Sequence, residues 1–170
     1  MSLYTWLSSA LVRHYPLSPP ATGASLSFDV ARNERFSAQI AMRFEPDLEQ
    51  GIPNPITVTV TASAPPPWQV RIRRVGFVPV LHHNTNMYPD DIDGWGHIPG
   101  YVPDPLFDEN TLQLPASETH AFWLTIVPTE PAAPGTYTIK VQVTPAGGKA
   151  LTHRLIVRVH DVLIQTRKDF

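Results

Sequence analysis

Short runs of alternating apolar and polar residues recur along the chain. Ile56, Val58 and Val60 alternate with Thr57, Thr59 and Thr61. Tyr137, Ile139, Val141 and Val143 alternate with Thr138, Lys140 and Gln142 in the longest clean run. His153, Leu155, Val157 and Val159 alternate with Arg154, Arg158 and His160, interrupted only by Ile156. Successive side chains of a strand point to opposite faces, so this pattern predicts strands with one wet face. Further strands are predicted at 26–30, 36–44, 68–74, 75–80 and 121–127. In the second of these, Phe36, Ala38, Ile40 and Met42 should face a core. Arg35, Gln39 and Arg43 should point outward, or be buried only at a domain contact. The sequence Val70, Ile72, Arg73, Arg74, Val75 changes phase, which predicts a bulge or a strand that switches sheets.

Turn chemistry separates the runs, at Gly51–Pro55, Ala64–Pro67, Ala133–Gly135 and Ala146–Gly148. The chain holds 19 prolines in 170 residues, twice the usual ~5%, and that density punctuates helices badly and strands well. No 3.6-residue pattern is long enough for a major helix. The expected fold is all-β: an antiparallel β-sandwich, immunoglobulin-like or jelly-roll-like, of about seven to nine strands with one long ordered loop. Residues 1–162 read as one domain, and 163–170 as the start of a linker to a further, catalytic domain.

Charge and composition remove several functions. Lys and Arg number 13 against 15 Asp and Glu, a formal charge of −2, so no electrostatic footprint for nucleic acid or an anionic membrane is present. Without cysteine there is no disulfide framework, thiolate metal site or thiol nucleophile. The N-terminus lacks a basic region and a cleavage site and does not read as a signal peptide, which leaves cytoplasmic and secreted locations both open.

The long loop, residues 82–108, concentrates the candidate chemistry. It carries His82, His83 and His97, the acids Asp90, Asp91, Asp93 and Asp104, and the rings of Tyr88, Trp95, Tyr101 and Phe107. Irregular segments longer than about 12–15 residues are usually functional or disordered, and aromatic richness argues against disorder. Trp95, Tyr101 and Phe107 should pack onto the sandwich, with Pro99, Pro103 and Pro105 limiting backbone freedom. The loop residues are candidates for an interface or a ligand contact.

Three chemistries compete there. His83, Asp91 and His97 form a possible His/carboxylate metal set, but the spacing matches no compact motif; solvated carboxylates and hydrogen-bonded histidines explain the residues as well. Asp91-x-Asp93-Gly94 is only a fragment of a calcium loop. No nucleophile elbow, phosphate loop or zincin helix occurs, and no cofactor is expected. Rings such as Trp68, Tyr88, Trp95 and Tyr101 can stack on sugars, although in a sandwich most rings plug the core.

Four segments carry a resemblance. Ala31–Met42, ARNERFSAQIAM, is similar to a strand in the N-terminal β-sandwich domains of bacterial glycoside-hydrolase-like proteins, including glycoside hydrolase family 123 and related uncharacterised families. Gly76–Val80 with Pro99–Leu106, Glu118–Trp123 and Pro134–Val141 match further elements in the same order, with Ile139 where glycine is common. The resemblance spans about residues 3–162. It implies a sandwich that precedes a barrel holding the catalytic acids, an Asp-Glu pair in family 123. This chain would then have no catalytic residue of its own, and its partner would be the C-terminal barrel of the same polypeptide. An independent carbohydrate-binding module is the alternative, and a small metal-dependent enzyme the third reading.

Overall fold

A computed structural model describes residues 2–47, 54–83, 88, 94–129 and 131–165. They form two five-stranded sheets packed face to face, with no helix among the described residues. One sheet runs β1 (Ser2–Ser9), β3 (Phe36–Glu45), β8 (Thr119–Val127), β5 (Gln69–Val80), β6 (Gly100–Phe107). The other runs β2 (Ser25–Arg32), β10 (Leu151–Leu163), β9 (Gly135–Pro145), β4 (Ile56–Ser63), β7 (Thr111–Leu114). All neighbouring pairs are antiparallel except β2 with β10, which run parallel. The sandwich is as expected; the parallel pair is not.

The alternating runs supply the core. Phe36, Ala38, Ile40, Met42 and Phe44 from β3 meet Ile139, Val141 and Val143 from β9 and Leu155, Val157 and Val159 from β10 between the sheets. The strand at 36–44 therefore has the predicted register. The phase change near Val75 is a register irregularity between Val75 and Phe77, within one sheet. There β5 exchanges neighbours, pairing with β8 through 69–74 and with β6 through 74–80. What read as two strands is one.

Ten strands exceed the expected count, because β1 and β6 lack the half-wet pattern and β7 alternates over only four residues. In β1, Trp6, Leu7 and Ser8 are all buried, so both faces are covered and alternation disappears. Residues 100–107, expected within the long loop, form β6 despite Pro103 and Pro105. As the last strand of its sheet, β6 has one free side, where a missing N–H breaks no ladder. The irregular segment therefore ends before Gly100. At the other end of the chain, β10 runs to Leu163, into the stretch read as linker.

The motif at Ala31–Glu34 is a corner between sheets. Asn33 adopts φ 63°, a left-handed conformation that Asn tolerates. Its N–H donates to Pro128 O at 2.8 Å, and its side-chain amide to Ile164 O at 2.9 Å. Glu34 accepts from the Ala31 N–H at 2.7 Å. These bonds turn the chain from β2 in one sheet to β3 in the other.

Candidate functional site

The outer face of the β1–β3–β8–β5–β6 sheet is partly covered by the chain itself. Cross-strand pairing sets Trp6, Ala41 and Ala121 in one row of that face, and Ser8, Gln39, Trp123 and Arg73 in the next. Residues 9–18 are fastened across it. The Gln39 amide donates to Ser9 O at 3.1 Å and Val12 O at 2.7 Å. Arg43 Nη1 donates to Pro16 O at 3.1 Å, and Thr119 donates from N to Pro16 O and from Oγ1 to Ser18 O. Gln39 and Arg43, expected to point outward or meet another domain, instead hold a strap of their own chain. Beneath it Trp6, Ala41, Val75 and Ala121 form a second, smaller apolar cluster.

The strap meets what remains of the irregular loop. The Tyr15 ring stacks on His97, centroids 4.0 Å apart and planes at 3°. Gly94, at φ 85°, lies against the Tyr15 hydroxyl where a Cβ would collide. His97 N–H donates to Gly94 O at 2.9 Å, closing the turn. Tyr15, Leu17, His97, Pro99, Tyr101 and Glu118 line a cavity of about 290 Å³. Glu118 lies 3.2 Å from His120. Burial pushes His120 below the ordinary histidine range, and the opposing pull of Glu118 does not overcome it. Burial likewise lowers His14, whose ring meets Trp6 edge-on at 5.7 Å.

The loop candidates are dispersed rather than assembled. His97 and Tyr101 share the cavity just described. His83 stacks on Trp95 at 5.7 Å, in the same turn that presents His97 to Tyr15. His82 and Tyr88 are exposed. Asp104 lines a different cavity of about 300 Å³, with Val12, Arg13, Gln39 and Trp123. Phe107 crowds Gly76 and lies under the Arg74 guanidinium, 4.6 Å from its ring centroid. Asp90, Asp91 and Asp93 fall outside the described residues, so the set His83, Asp91, His97 is only partly visible. Among the described residues no group of three His, Cys, Asp or Glu could hold a metal ion.

One expectation needs correction. Trp95 is 57% exposed, Tyr101 59% and Phe107 42%, so the three rings expected to pack onto the sandwich are largely open. The ring that fastens the turn is Tyr15, buried at 5% and donated by the N-terminal strap. Tyr15, Leu17 and Glu118 were not among the candidates. Leu11, Val12 and Leu17 were the available signal, being apolar residues outside any alternating run, and all three are exposed.

No family model and no curated protein matches the sequence. Among solved structures the chain is similar to a family 123 glycoside hydrolase from Clostridium perfringens, with TM-score 0.70 and 14% identity. The match covers 95% of this chain and 28% of that one, so the chain spans just over a quarter of that hydrolase's length. It is also similar to PapD-like domain 7 of human CEP192, with TM-score 0.44 and 9% identity over 94% of this chain and 87% of that one. At these identities the likeness to the hydrolase is one of fold.

Proposed function

We propose that this chain is a non-catalytic accessory β-sandwich of a larger carbohydrate-active protein, docking against a glycosidase-like barrel of the same polypeptide. The observation that carries the reading is the fold likeness, at TM-score 0.70, to a limited part of a glycoside hydrolase. The surface offered for docking is the strap and the turn it fastens. Leu11, Val12, Leu17, Trp95 and Tyr101 are exposed there, beside the polar groups His97 and Glu118. Contacts between domains are commonly mixed in this way, more polar than a core, and clustered exposed apolar residues mark interaction sites.

The test is association. The chain and the catalytic domain encoded with it, expressed separately, should co-elute as one complex. Leu17→Asp with Tyr101→Asp should abolish the complex while leaving the melting temperature of the sandwich unchanged. Absence of an encoded barrel, or of a complex with it, overturns the proposal.

One observation favours a second reading, an independent carbohydrate-binding module. Trp95 stacks on His83 and stays more than half exposed, which suits a sugar-stacking ring. Saturable quenching of Trp fluorescence by N-acetylhexosamines, lost in Trp95→Ala at unchanged melting temperature, would select it. Nothing on the described residues favours the metal-dependent enzyme.

A further inference from the structure

Past Trp123, the same sheet face carries charges that the docking surface does not use. Ser37, Thr125 and Arg71 are cross-strand neighbours, as are Gln39, Trp123 and Arg73. Arg71 and Arg73, two residues apart on β5, therefore share this face. With Arg35, Gln69 and Thr125 they line a cavity of about 380 Å³. Beside them the Asp108 carboxylate is held by Arg71 through Nε at 3.0 Å and Nη2 at 2.5 Å. Arg35 is exposed and has no ion pair with any described residue.

Arg73 is the fixed member of the group. Its Nη2 donates to Thr125 Oγ1 at 3.1 Å, which orients the guanidinium plane. Its Nε–H is buried with no acceptor among the described residues. Like charges set side by side on a sheet face repel, and a buried donor without an acceptor is destabilising. A planar oxyanion on the open side of the group relieves the repulsion, because the guanidinium fork matches a carboxylate. Trp123, half-buried in the adjoining row, lines the neighbouring cavity with Arg13, Gln39 and Asp104. A charge socket thus borders an aromatic surface with polar groups around it. A sugar acid presents that combination, a carboxylate next to an apolar ring face.

We propose that this face binds the carboxylate of an acidic saccharide through Arg73 and Arg35, with the sugar ring against Trp123. The site borders the strap, whose Val12 and Arg13 share the cavity with Trp123, and goes beyond the accessory reading.

The experiment is a titration of ¹⁵N-labelled chain at constant ionic strength with sodium glucuronate, glucose or sodium sulfate, following arginine Nε–Hε and indole resonances. Glucuronate should shift Arg73 Hε and the Trp123 indole to saturation, and glucose should not. Arg35→Gln and Arg73→Gln should each weaken glucuronate by about tenfold. Arg35 is exposed, so its replacement does not threaten the fold. No saturable glucuronate response, an equal response to glucose, sulfate binding without glucuronate binding, or unchanged affinity in Arg35→Gln would each overturn the proposal. All are read without a barrel present, so none decides the docking reading.

Discussion

Replacing Gln39 with Leu isolates the attachment of the strap. Leucine, one bond shorter, stays in the same buried position, where only 4% of the residue is exposed. What disappears is the amide that donates to Ser9 O and Val12 O. Two hydrogen bonds contribute about 1 kcal/mol each, and carbonyls left dry add to the loss. Residues 10–18 can lift and admit water, which limits the total to about 2–3 kcal/mol. For a chain of this length that lowers the melting temperature by about 4–12 °C. Hydrogen exchange should localise the damage. Ser18 N–H, bonded to Tyr15 O, and Thr119 N–H, bonded to Pro16 O, should exchange faster, while core β3 amides keep most of their protection. Gln39→Glu sharpens the test. A carboxylate facing two carbonyl oxygens is disfavoured in the folded state, so its folded pKa lies above the unfolded value of ~4.3. That variant should therefore be least stable at neutral pH and recover as pH falls through its raised pKa. A Gln39→Leu melting temperature within about 1 °C of the parent, with unchanged protection at Ser18 and Thr119, would refute the reasoning.

The remaining predictions concern the core, the buried histidines and the turn. Ile40 is fully buried between the sheets, and Ile40→Asp should abolish cooperative folding, because an isolated buried carboxylate costs far more than the lost methyl groups; a soluble variant with a sharp melt would contradict the register. His14, His120 and His153 are each lowered chiefly by burial. The unfolded chain therefore takes up protons that the folded chain does not, and stability should fall as pH drops below ~6.5, seen as a lower urea midpoint. Gly94→Ala combines a left-handed backbone with a clash against Tyr15; it should cost about 1–3 kcal/mol and abolish the ring-current shift from the Tyr15–His97 stack. Gly96→Ala, at φ 81° with open space around it, should pay only the conformational cost of about 1–2 kcal/mol and keep that shift. The isolated chain should not hydrolyse aryl N-acetylhexosaminides, and turnover lost on replacing Asp91 or Asp93 with Asn would reverse the accessory reading.

The strands legible in the sequence are those with one dry face, such as β9, where every second residue from Ile139 to Val143 is buried and its neighbours exposed. β1 was illegible because Trp6, Leu7 and Ser8 are consecutively buried, a pattern with no period. β6 was hidden by prolines that an edge tolerates. The strap could not be read at all, since what fixes it is Gln39 reaching residues about 30 positions earlier in the chain. The motifs that suggested a resemblance prove to be framework. Asn33 and Glu34 build a corner, Thr119 fastens the strap, and Tyr137 donates its hydroxyl to Ala133 O at 2.7 Å while packing on Trp68. They describe a shape, and shape alone does not assign chemistry.

The parallel pairing of β2 with β10 also sets an order of events. Leu26 lies beside Leu155 and Val30 beside Val159, so an early strand finds its partner only near the far end of the chain. At ~5–20 residues per second of synthesis, β2 waits on the order of ten seconds with both its edges unsatisfied. Non-local pairing of this kind also slows refolding, toward milliseconds to seconds. Asp29, set within the apolar residues of β2, puts a charge on that waiting strand, a known guard against premature edge-to-edge pairing. When β10 arrives, the same carboxylate accepts His160 Nε2 at 2.7 Å. One residue thus serves first to keep strangers off and then to receive the intended neighbour.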